Sequence, residues 1–232
     1  MNKRSACAPA TASSPRKRGG SRPAKSLLDQ AYDEIKLRII TCRYRPGEVL
    51  SEAAISDELG IGRTPVHQAI HGLMMDGFIA ILPRKGVMVA PVGLEEVMEI
   101  IDVRLVTECY CARLAADRAD YSELQNLQRI LDASEKVTNN RDIEKIMLFD
   151  REFHDALART TRNTVLADVL HSLHERSLRF WFISLRDPDH HHSVLAQHRR
   201  IVAALQSRQP DAADNAMREH ILAFQRNLTR QV

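Results

Sequence analysis

Residues 46–91 read PGEVLSEAAISDELGIGRTPVHQAIHGLMMDGFIAILPRKGVMVAP, and the glycine and cap residues of this stretch decide the fold around it. Ser51 is a good helix N-cap for the segment EAAISDEL that follows it. The glycine-rich turn at 60–62 then separates this helix from a second one, predicted over about 64–76. Two short helices joined through such a turn are typical of a helix-turn-helix unit.

The segments on either side complete a winged helix. Apolar residues recur at helical spacing from Leu27 to about Cys42, which predicts a further helix in front of the pair. After Gly77, the runs FIAIL and VMVA flank a Pro-Arg-Lys-Gly sequence at 83–86. This pattern predicts a β-hairpin with a basic tip, which is a wing.

The second helix of the pair has a polar face opposite its apolar stripe. Val66, Ile70 and Leu73 form the inward stripe. Exposed donors on the N-terminal half of such a helix suit base edges in the major groove, although an ordinary solvated helix face would show the same pattern. Together with the wing, this face supplies our candidate DNA-binding residues: Arg63, Thr64, His67, Gln68, His71, Arg84, Lys85 and Gly86.

This stretch closely resembles the winged-helix domain of GntR-family bacterial transcription regulators. The family pattern runs roughly L-S-E…L-G-[VI]-S-R-T-P-V-R-E-A-L…R-G…V, and the match covers residues 45–91 almost without gaps. By position, the resemblance implies that Arg63 and Thr64 contact phosphates and bases. It also implies that Gly86 approaches the minor groove.

Two positions depart from the family pattern. Gly62 stands where a Ser is usual, so it can begin the helix but brings no hydroxyl. His67 stands where the family has an Arg that commonly reads guanine. Because an imidazole cannot reproduce the bidentate fork of a guanidinium, we expect His67 to shift the half-site preference or to weaken the base contact.

Beyond Pro91 nearly the whole chain has helical periodicity. The predicted helices span about 94–118, 122–138, 142–160, 163–185, 193–207 and 211–230, with His190, His191 and His192 in a polar loop before the fifth. We therefore predict a mainly α fold: an N-terminal winged helix-turn-helix at 26–92, then an all-α bundle of six to seven helices at 93–232. A bundle in this position resembles the FadR-type subfamily with a C-terminal FCD effector domain.

Four polar residues interrupt the apolar stripes of these bundle helices. Asp150 and His154 lie one turn apart on the third helix. His198 lies on the fifth and His220 on the last, each eleven residues from Gln209 in the turn between them. Equal distances place the two imidazoles at the same level of an antiparallel hairpin. The four residues could form a metal site of N and O donors, whereas a single inward His is more often a satisfied core residue.

The resemblance strengthens the metal interpretation, because many FCD regulators bind a metal through an Asp and three His on matching helices. Such donors suit Zn first, with Ni, Co, Mn or Fe as alternatives. Arg104 also faces inward. It could form an i,i+4 ion pair with Glu108, or its guanidinium could donate two hydrogen bonds to an anionic ligand. In FCD regulators an Arg near this position contacts effector carboxylates. We expect Arg104, with His174 lining the pocket, to bind a small carboxylate effector.

Composition limits the remaining possibilities. The 232 residues include only 5% aromatics and four cysteines in no C-x-x-C pair, which favours a helical cytosolic protein with reduced thiols. No apolar run approaches the roughly 18 residues that a membrane span needs. Residues 1–28 contain seven Lys/Arg and no acid, against 26 basic and 30 acidic residues in the remainder. Residues 1–25 are therefore predicted to be a disordered basic tail.

These patterns and the resemblance together predict a ligand-responsive bacterial transcription regulator rather than an enzyme. A homodimer would bind near-palindromic double-stranded operator DNA, and the protein would be cytoplasmic and nucleoid-associated when bound. Two alternatives remain open. The bundle could be a metal-dependent hydrolase or lyase, or the metal of a DNA-binding regulator could be purely structural.

Overall fold

The computed structural model describes residues 25–91, 93–184 and 188–231, and within these ranges it has nine helices and one three-stranded sheet. The elements are α1 (Leu27–Ile40), β1 (Val49–Leu50), α2 (Glu52–Leu59), α3 (Arg63–Met75), β2 (Ile79–Leu82), β3 (Gly86–Val89), α4 (Leu94–Arg118), α5 (Tyr121–Asn139), α6 (Ile143–Thr160), α7 (Thr164–Ser184), α8 (Pro188–Gln206) and α9 (Pro210–Gln231). This order confirms the mainly α fold. The predicted tail lies outside the described residues except for Lys25.

The N-terminal elements form the predicted winged helix. The Ser51 hydroxyl accepts a hydrogen bond from the backbone N–H of Ala54 at 3.1 Å, which confirms the predicted N-cap of α2. Gly60 ends α2 in the left-handed conformation, and Gly62 begins α3 with no side-chain cap bond. In the sheet β3 lies between β1 and β2, and both pairings are antiparallel.

The core of the winged helix lies between α1, α3 and the sheet. Ile35 and Ile39 of α1 are fully buried, as are Val66, Ile70 and Leu73, the predicted inward stripe of α3. Because this stripe packs against α1, the opposite face of α3 is exposed to solvent, as the helical periodicity predicts.

Gly86 occupies a position that only glycine fills without strain. Its φ is +108°, and a Cβ added there would collide with the backbone carbonyl oxygen of Leu50. We expect Gly86→Ser to lower the free energy of unfolding by about 1–3 kcal/mol, because strain of this size accompanies a forced backbone conformation.

Thermal unfolding followed by circular dichroism measures this effect, with Gly93→Ser as the matched control. A Cβ at Gly93 meets nothing within 4 Å, and Ser is favoured at this N-cap of α4. Equal melting temperatures for the two variants would contradict the prediction.

The helices α4–α9 form the bundle, in which α4 packs along α9 while α5 packs on α6 and α8 on α9. Local caps begin several of these helices. Asp120 and Glu123 form a capping box on α5, and the side chain of Asn163 accepts a hydrogen bond from the N–H of Leu166 at 3.1 Å. None of the described helices combines the length and the apolar character that a membrane span requires.

One sequence interpretation in the bundle was wrong. Helix α8 begins at Pro188 rather than near 193, so the three consecutive histidines are helical instead of forming a loop. His190 and His191 are buried, whereas His192 is exposed. Proline at the first position of a helix explains the early start, since its fixed φ suits that position and its missing N–H costs nothing there.

Helix α1 of the winged helix packs against α7 of the bundle. Lys36 and Glu175, both buried, form an ion pair across this contact. The guanidinium of Arg179 also donates to the carbonyl oxygen of Ala90, at 2.7 Å. Charged groups from the middle of α7 are therefore directly joined to the winged helix.

Candidate metal and effector site

The bundle gathers buried imidazoles and a carboxylate at its centre. Asp150 and His154 on α6, His198 on α8 and His220 on α9 are all buried. The ring centroid of His154 lies 5.3 Å from those of His198 and His220, which are themselves 4.7 Å apart. His198 and His220 are thus neighbours across the α8–α9 hairpin, as their equal distances from Gln209 predict. Donor atoms of the three histidines lie within 4.8 Å of one another.

A fifth side chain, His174 of α7, joins this group. Its Nε2 lies 3.3 Å from one carboxylate oxygen of Asp150, and the other oxygen lies 3.5 Å from Nε2 of His198. Asp150, His154 and His174 also offer donor atoms within 4.8 Å of one another. Sequence reasoning placed His174 in the pocket wall and not among the donors. Its position on the apolar stripe of α7 was the signal for an inward histidine.

Several donor atoms in this cluster are buried without a hydrogen-bond partner. They are both carboxylate oxygens of Asp150, Nε2 of His154, Nε2 of His198 and both ring nitrogens of His174. A buried polar atom left unsatisfied costs roughly 1–3 kcal/mol. A group of such atoms converging on one point fits a divalent cation, which the N and O donors suit chemically.

Two further side chains orient the histidines. Nδ1 of His154 lies 2.9 Å from a carboxylate oxygen of Glu108, and Nδ1 of His220 lies 2.9 Å from the amide oxygen of Gln197. Each contact occupies Nδ1, and for His154 it leaves Nε2 buried without a hydrogen-bond partner, an arrangement that suits a metal-binding histidine. Sequence reasoning assigned Glu108 to Arg104 alone and did not identify Gln197.

Burial controls the charge of the cluster. It lowers the pKa of His198 to about 3, and it also lowers the pKa values of His174 and His220. Burial opposes ionisation of Asp150, but the close contact with His174 and the nearby histidines outweigh it and hold the pKa of that carboxyl below its usual range. For His174, His198, His220 and Asp150 these shifts favour the protonation states that metal binding requires, whereas His154 has the opposite shift.

Arg104, Glu108 and His154 form a buried charged chain. Burial alone would raise the pKa of Glu108, but Arg104 and His154 outweigh it and lower that pKa. Burial also works against the charged form of His154, yet its contact with Glu108 raises the pKa. Glu108 is thus held between Arg104 on its own helix and His154 on α6.

Arg104 makes one of the two contacts considered from the sequence, the ion pair with Glu108. Its Nε donates to Glu108 in the i,i+4 ion pair, and its guanidinium lies 5.6 Å from the ring centre of Phe224. Its Nη1 is buried with no hydrogen-bond partner. One side of the guanidinium therefore binds Glu108, while Nη1 on the other side is a donor without an acceptor.

The space beside the cluster is small. A cavity of about 10 Å³ adjoins His154 and His174 and is also lined by Cys111, Leu157 and Met217. This volume accommodates about one water molecule. Arg104 does not line it, so an organic acid that reached both the histidines and Arg104 would have to displace side chains between them.

The predicted DNA-binding residues of α3 and the wing are exposed, with one exception. Arg63, Thr64, His67, Gln68 and His71 of α3 are exposed, as are Arg84 and Lys85 at the wing, whereas Gly86 is half-buried. Nδ1 of His67 lies 2.9 Å from a carboxylate oxygen of Glu52, the first residue of α2. Helical periodicity does not predict this last contact.

Comparison with known proteins agrees with both halves of the fold. Residues 27–89 match the bacterial regulatory proteins of the gntR family, and residues 99–223 match the FCD domain. The HTH-type transcriptional regulator YdhC of Bacillus subtilis is 28% identical, over 84% of this chain and 85% of that protein. The HTH-type transcriptional repressor RspR of Escherichia coli is 27% identical, over 86% of this chain and 87% of its own.

A solved structure supports the fold over nearly the full length. The E. coli protein McbR/YncC matches with a TM-score of 0.81 at 21% identity, covering 90% of this chain and 99% of that one. The family expected from the winged-helix motif and from the helical bundle is therefore confirmed. The chain belongs to the GntR family of bacterial transcription regulators, in the group whose winged helix is followed by an FCD domain.

Proposed function

We propose that this transcription regulator senses a small organic acid at a divalent metal in its FCD domain. The proposal is supported mainly by a group of buried donor atoms that have no hydrogen-bond partner. These atoms belong to Asp150, His154, His174 and His198. The metal would be bound by Asp150, His154, His198 and His220. We propose Zn as the metal, with Ni, Co, Mn or Fe as alternatives. His174 would remain beside the metal as a pocket residue.

The proposed effector is a carboxylate shared between the metal and Arg104. The metal would supply a Lewis-acidic position for one carboxylate oxygen. The unpartnered Nη1 of Arg104 would donate to the same ligand, while Glu108 keeps the guanidinium in place. A buried charge-assisted hydrogen bond of this kind favours an anion over a neutral analogue.

The ion pairs at the contact of α1 with α7 offer a route from this site to the DNA. Glu175 follows His174 in sequence and pairs with Lys36 of α1. Arg151 follows Asp150 and lies 3.3 Å from the same Glu175 carboxylate. A ligand that shifts α6 against α7 would therefore shift α1. Typical couplings of about 1–3 kcal/mol change operator affinity roughly 5–150-fold.

We further propose that the protein acts as a cytoplasmic homodimer, with residues 26–92 reading DNA and residues 93–232 sensing and dimerising. Helix α4 supports dimerisation, since Val103, Val106 and Tyr110 form an exposed apolar stripe along one face. A two-fold dimer calls for a near-palindromic operator. Selection from random DNA that returns two inverted half-sites would support this arrangement, and a single isolated half-site would oppose it.

The effector proposal predicts a specific loss in the variant Arg104→Lys. Lysine keeps the positive charge beside Glu108 but lacks the two parallel N–H donors of a guanidinium. We therefore expect the affinity for the effector to fall about 10–100-fold. A thermal-shift screen of mono-, di- and tricarboxylic acids on zinc-loaded protein identifies the acid, and calorimetry then measures its binding to both proteins.

Arg113→Lys on the exposed side of the same helix is the matched control, and it should bind the acid like the wild type. Metal content should be equal in all three proteins. If the acid is recovered chemically converted, the enzyme alternative gains support instead. If chelation lowers the melting temperature but leaves acid binding intact, the metal is structural only.

A further inference from the structure

His67, in the middle of helix α3, is held in place by two neighbours. Its Nδ1 lies 2.9 Å and 3.1 Å from the two carboxylate oxygens of Glu52 on α2. The ring of His71 meets it edge-on from the next turn, with centroids 4.7 Å apart. The side chain of His67 nevertheless remains 55% exposed. The ring is therefore oriented by the protein while part of it faces solvent.

The contact with Glu52 decides which ring nitrogen carries the proton. An ionised carboxylate only accepts hydrogen bonds, so Nδ1 must be the donor in this pair. In a neutral imidazole the proton on Nδ1 leaves Nε2 with a lone pair and no hydrogen. Nδ1 is occupied by Glu52, so Nε2 is the polar ring atom left for a further partner.

We propose that Glu52 fixes His67 as a hydrogen-bond acceptor toward DNA, so that His67 selects a base with an exocyclic amino group. This inference rests on the proposed seating of α3 in the major groove. There, adenine offers its N6 amino group and cytosine its N4 amino group, whereas guanine and thymine offer acceptors at the corresponding edge. An arginine at this position would select guanine, so the change to His67 reverses the donor and acceptor roles.

Glu52 is in this scheme a positioning residue, because it touches the histidine and not the base. A purely structural role for Glu52, as an acidic residue in the first turn of α2, would change stability without changing which base is preferred. The identity of the preferred base is therefore the property that separates the two roles.

The test is a selection from random double-stranded DNA with full-length, zinc-loaded protein, performed with and without a pool of carboxylic acids. The operator position read by His67 is the one that loses its preference in His67→Ala. In the wild type we expect adenine or cytosine at that position, preferred about 3–10-fold over guanine in competition binding, as for one hydrogen bond. His67→Arg should change the preference to guanine.

Two variants of Glu52 complete the experiment. Glu52→Ala releases the ring and should remove most of the preference at that one position. Glu52→Gln should retain it, because the amide oxygen accepts the same Nδ1 proton. Asp57→Ala removes an equal charge from the exposed side of α2 and should leave the preference unchanged.

The outcomes separate this inference from the proposed function. If the wild type enriches no motif under either condition, DNA reading by α3 itself fails. If the wild type enriches a motif but His67→Ala alters no position, or the wild type prefers guanine or thymine there, the acceptor role of His67 is wrong. Retention of the full preference in Glu52→Ala would exclude the positioning role of Glu52.

Discussion

His198→Ala is expected to lower the affinity for a divalent metal by at least about 100-fold, because loss of an outer partner of a metal ligand alone costs roughly 10–100-fold. His198 is buried against Asp150, and its Nε2 has no hydrogen-bond partner. Removal of the imidazole therefore takes away one donor without breaking a hydrogen bond of that atom. We expect elemental mass spectrometry after dialysis to find near one metal ion per chain in the wild type and near zero in His198→Ala.

His192→Ala provides the control, since His192 lies on the same helix but is exposed. It should bind metal like the wild type. Stability gives a second readout, because a metal at about 1,000 times its dissociation constant contributes roughly 4 kcal/mol to the folded state. A chelator should thus lower the melting temperature of the wild type and of His192→Ala but leave that of His198→Ala unchanged. Equal metal content in all three proteins would exclude the site.

The inward direction of the candidate ligands could be predicted because helical periodicity is a local property. Asp150 and His154 fall on the apolar stripe of α6, and the turn near Gln209 sets the relative levels of His198 and His220. A polar residue on such a stripe must find a partner in the core. Local periodicity and one short turn were therefore sufficient to suggest the cluster.

Other parts of the site depend on contacts that periodicity does not encode. Gln197 precedes His198 in sequence but reaches His220, on the neighbouring helix. Glu108 contacts both Arg104, one turn away, and His154, from another helix. Which of several polar residues meet depends on helix rotation and crossing in the folded bundle, and no single segment determines these.

The same limit applies to the DNA-reading half. The exposed face of α3 follows from its own sequence, whereas the contact of His67 with Glu52 depends on how α2 crosses α3. The ion pair of Lys36 with Glu175 likewise joins distant segments. The early start of α8 was missed for a different reason. A run of histidines is typical of a loop by composition, and the proline in front of it, which starts the helix, is equally common in loops.

The metal-free protein is expected to lose stability as the pH falls below about 6.5. Burial lowers the pKa values of His174, His198 and His220 below that of an unfolded histidine, near 6.5. As the pH falls through 6.5, the unfolded chain takes up protons that the folded cluster does not accept, so folding becomes less favourable. His154 has the opposite sign: its raised pKa adds stability below pH 6.5, which is lost as the pH rises above the folded-state value.

Each such histidine adds up to about 1.4 kcal/mol per pH unit to the slope while the pH lies between its folded-state pKa and that of the unfolded chain. Urea unfolding of dialysed metal-free protein at several pH values measures this slope. His198→Asn removes one titrating group and should reduce the slope by about one proton, whereas the same change at the exposed His192 should not. Bound metal holds the imidazoles deprotonated and should move the loss of stability to lower pH. A metal-free protein equally stable at pH 6.5 and pH 5 would show that the cluster is not buried in its neutral form.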